Sequence, residues 1–199
     1  MFPKSLQNLI NQLSKLPEIG PKAATRMAFY LLSQDQSELN NLSLAVKELK
    51  SQINLCPQCF NLTEKDKEFC PICLDGKRDK STLCLVENLL NIIPIEKTRQ
   101  YHGLYHVLGG LISPGNGFGP EKLKINQLVN RIKKNNPTIK EVIFALSPTT
   151  EGDTTTLYIE RFLQPLGIKT SRLARGLSIG SDLEYIDENT LSSAFLGRK

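Results

Sequence analysis

The sequence predicts a multidomain α/β chain, and three observations carry that expectation. Residues 1–53 hold three apolar stripes at helical spacing. Residues 54–80 contain two Cys-x-x-Cys pairs separated by a polar, charged loop. From residue 81 onward, short apolar runs alternate with amphipathic helical patterns, which argues for a parallel sheet covered on both faces. The expected boundaries are a helical region at 1–53, a zinc module at 54–80, an α/β domain at 81–175 and a C-terminal segment at 176–199.

The first stripe is Leu6, Leu9, Ile10, Leu13 and Leu16. The run Pro17-Glu18-Ile19-Gly20-Pro21 breaks it, and Pro21 suits the first turn of a new helix, where a missing N–H costs nothing. Ala23, Ala24, Met27, Ala28 and Leu31 continue that second helix, so the two form a hairpin. Leu39, Leu42, Val46, Leu49 and Ile53 make the third stripe. These stripes offer more apolar surface than three helices bury alone, which predicts assembly contacts there.

Cys56, Cys59, Cys70 and Cys73 form two knuckles whose sulfurs close a tetrahedral shell suited to Zn²⁺. Two disulfides or four unrelated buried thiols are the other readings. A closed shell of this kind folds a module and leaves no open position for a substrate. The fifth cysteine, Cys84, lies in an apolar run and reads as a buried strand residue.

Strands are expected at 82–86, 104–108, 142–146 and 168–173. Helices are expected at 88–98 (interrupted by Pro94), 121–134 and 153–166. The Gly-rich loop 109–120 is long for a connection, which marks it as a candidate functional loop. His102 precedes the strand before it, His106 lies within that strand, and both read as structural.

The chain has 199 residues, a net charge of +5 and 40% hydrophobic content, with a mean hydropathy of −0.23. No apolar run approaches the roughly 20 residues that cross a bilayer. The N-terminal stretch lacks a signal-peptide core, so a cytoplasmic location is expected. The basic balance permits a polyanionic partner, but the charge is spread along the chain, so a nucleic-acid site has to come from local placement.

Two local placements stand out. A Gly20-Pro21 turn at a helix start exposes backbone N–H groups, and Lys22 and Arg26 lie one turn apart on one face, where both reach phosphates. This is a helix-hairpin-helix signature; the alternative is an ordinary hairpin with two solvated cations. Glu87, Glu151 and Asp153 follow two predicted strands. If those strands are neighbours, the three carboxylates converge on one rim and build an oxygen-ligand Mg²⁺ site. The alternative is two surface acids and an N-cap at Asp153.

In this order the segments resemble the RecR family of bacterial recombination mediators. The resemblance rests on residues 16–26 with Ala28-Phe29, the four cysteines, Leu104-Tyr105-His106-Val107-Leu108-Gly109-Gly110, the loop 111–120, Pro148-Thr149-Thr150-Glu151-Gly152 and the tail 180–185. It implies a Toprim domain at about 80–175 and no catalysis by the chain itself. It also implies dimers that assemble into a tetrameric ring around single- or double-stranded DNA. RecO and RecF are the implied partners in loading recombinase at single-stranded gaps. On this resemblance Gly20, Lys22 and Arg26 contact DNA, and Glu87, Glu151 and Asp153 fall on the Toprim acids. Three places depart from the family's pattern: Glu18 replaces a hairpin glycine, the second acidic motif reads Glu-x-Asp, and Arg175 and Ser181 replace a histidine and a glycine. The competing reading is a Mg²⁺-dependent Toprim nuclease or nicking enzyme.

Overall fold

A computed structural model describes residues 2–134 and 138–198. It divides into two compact units, 1–52 and 53–199.

The first unit is helical. α1 (Lys4–Leu13) buries Ile10 against α2 (Pro21–Leu32), where Ala24 and Ala28 are fully buried. Two alanines one turn apart let the helix axes approach closely, and Leu6, Leu9, Leu13 and Ile19 close around the contact. The α1 stripe is therefore largely used within the hairpin. α3 (Gln36–Gln52) is different: no residue of it is buried, and Leu42, Leu44, Val46 and Leu49 all stand exposed. The third helix was expected to reach Ile53. Ile53 instead opens a strand, because it pairs with Glu64 across a small hairpin.

The second unit begins with that hairpin, β1 (Ile53–Leu55) against β2 (Leu62–Glu64), followed by the single turn α4 (Pro71–Leu74). A four-stranded parallel sheet follows: β3 (Asp79–Val86), β4 (Gly103–Val107), β5 (Glu141–Ala145) and β6 (Lys169–Arg172), in the order β4-β3-β5-β6. β3 starts before residue 81, so the polar exit of the cysteine module is partly strand. Asp79 caps the bend there, accepting from the Ser81 N–H at 2.8 Å.

Alternation along β3 sorts the core into two layers. Leu83 and Leu85 pack with α6 (Ile125–Lys134) and α7 (Thr150–Leu163) through Leu128, Ile132, Ile159 and Leu163. Cys84 and Val86 face the other way, toward Tyr105, Val107 and α5 (Ile92–Thr98), with Phe60 and Ile72 of the cysteine module packed on the same cluster. The cysteine module is thus part of the second layer.

Three helix starts differ from expectation. The segment at 88 opens with a 3₁₀ turn, in which Asn88 and Asn91 form a reciprocal capping box. α5 then begins at Ile92, so Pro94 falls in its first turn and does not interrupt it. α6 begins at Ile125, after a separate 3₁₀ turn at Pro120–Lys122. α7 begins at Thr150, capped by the Thr149 hydroxyl accepting from the Gly152 N–H at 3.2 Å. Gly152 is required there, since a Cβ would sit 2.0 Å from the Ser147 carbonyl oxygen. α8 (Glu188–Leu196) ends the described chain and buries none of its residues.

The loop 109–120 is pinned. Ser113 and Phe118 form a bridge, the Ile112 N–H donates to the Thr155 hydroxyl at 2.8 Å, and Lys122 Nζ donates to the Gly117 carbonyl at 2.6 Å. His106 is fully buried in β4, with Nε2 3.0 Å from the Lys124 carbonyl oxygen that fixes its ring.

Candidate metal centre and nucleic-acid interface

Each cysteine pair is held by backbone geometry. In the first knuckle the Cys56 N–H donates to the Asn61 carbonyl at 2.7 Å and the Phe60 N–H to the Cys56 carbonyl at 2.9 Å. Phe60 turns the chain with a left-handed φ of 63°. In the second, Cys70 caps α4, and the N–H groups of Cys73 and Leu74 return to its carbonyl at 3.0 and 3.1 Å. The four sulfurs all lie within 4.8 Å of one another. None is in a disulfide, and Cys56, Cys59 and Cys70 are completely buried.

Four thiols this close share protons unequally. The contact with Cys70 pushes the Cys59 thiol above its ordinary range, while the same contact holds the Cys70 thiol down. A dication relieves that competition, since each sulfur then binds as thiolate. The all-sulfur donor set, its closeness and its burial fit a structural Zn²⁺ held by Cys56, Cys59, Cys70 and Cys73. Cys84 stands apart in β3, its thiol pushed up to about 12 by burial, as expected of a packing residue.

The hairpin presents a second site. Gly20 precedes α2 in extended conformation with no side-chain cap, Pro21 takes the first helical position, and no acid lies in the first turn. The N–H groups at that end have no helical partners and carry the positive end of the helix dipole. Lys22 and Arg26 are both exposed, while Ala24 and Ala28 bury the opposite face. Glu18 adopts φ 66°, the left-handed turn that a glycine takes without strain. A non-glycine residue there costs on the order of 1 kcal/mol.

The acidic rim is only partly assembled. β3 and β5 are neighbours, so Glu87, Glu151 and Asp153 follow adjacent strands as expected. They do not gather into one site. Among the described residues, the four cysteines are the one group of three or more His, Cys, Asp or Glu with ligand atoms this close. The reason is the early start of α7: Glu151 and Asp153 are two apart on a helix and project about 200° from each other. Nor is Asp153 the helix cap. It accepts from Arg172 Nη1 at 3.1 Å and from Arg175 Nη1 at 3.2 Å, and the Arg175 bond holds its carboxyl below the usual range. Glu87 accepts from the Ser147 hydroxyl at 2.7 Å.

Ser147 and Arg172 join the rim acids with no local sequence signal, and Arg175, a departure from the family's pattern, joins them too. Their partners lie far along the chain, so no local spacing announces them. Among the described residues no helix is long and apolar enough to cross a membrane.

Comparison with known families covers nearly the whole chain. Residues 6–50 match the RecR helix-hairpin-helix, 53–75 the RecR zinc-finger domain of the four-cysteine type, 81–174 the Toprim domain and 176–199 the RecR C-terminal region. The chain is 45% identical to Recombination protein RecR of Chloroherpeton thalassium, over 98% of this chain and 96% of that protein. Identity to the protein of the same name is 47% in Bifidobacterium longum DJO10A, over 100% and 97%, and 48% in Gloeothece citriformis, over 100% and 98%. Similarity of this extent, with the domains in this order around a four-cysteine centre, places the chain in the RecR family of recombination proteins.

Proposed function

We propose that the chain is a DNA-binding recombination mediator without turnover of its own. On this reading it forms a ring-shaped clamp that acts with RecO and RecF to load recombinase at single-stranded gaps. The observation that carries the DNA reading is the uncapped, acid-free start of α2, with exposed Lys22 and Arg26 one turn apart. Such a site grips phosphate oxygens and is blind to base sequence.

Assembly is supported by what the single chain leaves uncovered. α3 exposes Leu42, Leu44, Val46 and Leu49, and the C-terminal segment exposes Ile179, Leu183, Tyr185, Phe195 and Leu196. Two separate apolar surfaces, each used symmetrically, close dimers into a four-membered ring. The absence of turnover is supported by the rim. Asp153 is committed to two arginines and Glu87 to Ser147, so neither is poised to activate a nucleophile. Exposed Glu151 is the rim carboxylate we assign to a basic partner surface, for which RecO is our candidate.

Incubation of the protein with supercoiled plasmid and Mg²⁺ tests this reading. No nicking is expected, and light scattering with DNA present is expected to show dimers growing to tetramers. Mg²⁺-dependent cleavage that disappears in Glu87→Gln would establish the nuclease reading instead, and a strictly monomeric protein would remove the clamp.

A further inference from the structure

The sheet has one open edge on the side of the cysteine module, along β4, and three groups close it. The Gly103 carbonyl accepts from Arg78 Nη1 at 3.0 Å, the Tyr105 carbonyl from Arg131 Nη1 at 2.6 Å, and the Val107 N–H donates to the Cys59 carbonyl at 2.9 Å. Along a strand edge, a carbonyl and the N–H two residues later are neighbouring groups on the same side. The Arg131 guanidinium and the Cys59 knuckle therefore occupy adjacent places on β4. Phe60, the next residue of the knuckle, packs edge-on to the His106 ring with centroids 5.4 Å apart.

Arg131 is an unusual occupant. It comes from the buried stripe of α6, three residues after Leu128, and is only 6% exposed. Nη1 is satisfied by Tyr105, but among the described residues Nε and Nη2 are buried with no hydrogen-bond partner. Among the described residues no carboxylate forms a salt bridge with it. A buried cation without a counter-charge costs several kcal/mol. A compensating charge would lie along the same strand edge, since Zn²⁺ held by the four thiolates would make a dianion. Burial pulls the Arg131 guanidinium down from its ordinary value, and Cys73, Cys59, Cys56 and Cys70 each push it back up.

We propose that Arg131 is the counter-cation of the zinc–tetrathiolate centre, a positioning residue that ties metal retention in the cysteine module to the edge of the Toprim sheet. The roles divide cleanly. Nη1 fixes the side chain on Tyr105, and the positive charge lowers the cost of holding a dianionic centre away from water. Removing the charge raises the basicity of the thiolates, so protons compete better for them and the metal leaves faster.

Two variants separate charge from packing. Arg131→Gln keeps a donor for the Tyr105 carbonyl and loses the charge; Arg131→Met loses both. Zinc release from the full-length protein to a chromogenic chelator is expected to be about tenfold to a hundredfold faster in Arg131→Gln than in wild type. Arg131→Lys, which keeps a charge, is expected to fall between them. In cobalt-substituted protein, the sulfur-to-metal charge-transfer band is expected to move to lower energy in Arg131→Gln and to return toward wild type in Arg131→Lys. Wild-type release and an unmoved band in Arg131→Gln would overturn the proposal. So would faster release with an unmoved band, which would make Arg131 a strand-edge cap alone. If Arg131→Met does not fold, Arg131→Gln decides by itself. The inference rests on zinc occupancy, and elemental analysis of the wild-type protein tests that separately.

Discussion

Lys22→Ala combined with Arg26→Ala removes both exposed cations from the start of α2 without touching its packed face, which is Ala24 and Ala28. Neither side chain forms a salt bridge among the described residues, so no internal carboxylate is stranded by their loss. The magnitude follows from counterion release. Each neutralised phosphate on duplex DNA contributes about 0.9 to the slope of log affinity against log salt, so two contacts contribute about 1.8. Between 50 and 200 mM salt the wild-type protein is then expected to lose about tenfold more affinity than the double variant. On single strands the contribution is about 0.7 per phosphate, so the slope difference is expected to shrink to about 1.4. Fluorescence anisotropy of labelled duplex and single strands, at several salt concentrations and with two unrelated base sequences, reads all of this. Circular dichroism is expected to be unchanged. Parallel salt plots for variant and wild type would refute the assignment of the hairpin as the phosphate contact.

Cys70→Ser is expected to lose stoichiometric zinc and soluble yield, because metal binding supplies folding free energy to so small a module; elemental analysis and a thermal melt check it. Leu42→Asp with Leu49→Asp lies on the unburied face of α3, so helicity is expected to hold while light scattering shows smaller species. An unchanged assembly would move the interface elsewhere. His106 carries a pH effect whose sign is fixed by burial, which pushes its pKa down to about 3 from 6.5. The folded state binds fewer protons than the unfolded state between those values. Its contribution to stability is therefore complete above 6.5 and is lost as pH falls toward 3. The maximal slope is about 1.4 kcal/mol per pH unit. His106→Gln keeps a donor for the Lys124 carbonyl and is expected to flatten denaturant-measured stability between about pH 5 and 6.5, above the range of most carboxylates.

What was legible in the sequence was what depends on near neighbours. A Cys-x-x-Cys knuckle is closed by backbone bonds spanning a few residues, and the apolar run of β3 is a property of four consecutive positions, Leu83 to Val86. The α1–α2 hairpin was readable because its stripe and its Gly20-Pro21 turn are local. The strand ends differ from expectation by a few residues at most, and the helix starts by three or four. In each helix the starting point was decided by a cap or a 3₁₀ turn that competes with the periodic pattern. Pro94 misled for the same reason, since its cost depends on whether it falls in a first turn or an interior one.

The rim shows what local reading leaves out. Glu87 meets Ser147 across 60 residues, Asp153 meets Arg172 and Arg175 across 19 and 22, and Arg131 meets Tyr105 across 26. The first three contacts exist because the parallel sheet brings the ends of β3, β5 and β6 side by side, and the fourth because α6 reaches the edge of β4; a charge pattern along the chain carries no trace of that order. Three acids on neighbouring strand ends suggest a metal site only while the residues between them are taken for loop. Starting α7 at Thr150 turns Glu151 and Asp153 apart and hands Asp153 to β6. Those ion pairs are exposed, at 36–41% for the side chains involved, so each contributes no more than about 1 kcal/mol. Bonds of that size bias the Asp153 carboxylate toward the two guanidiniums without locking it there. The carboxylate that a cation site would draw on is thus already matched to guanidinium.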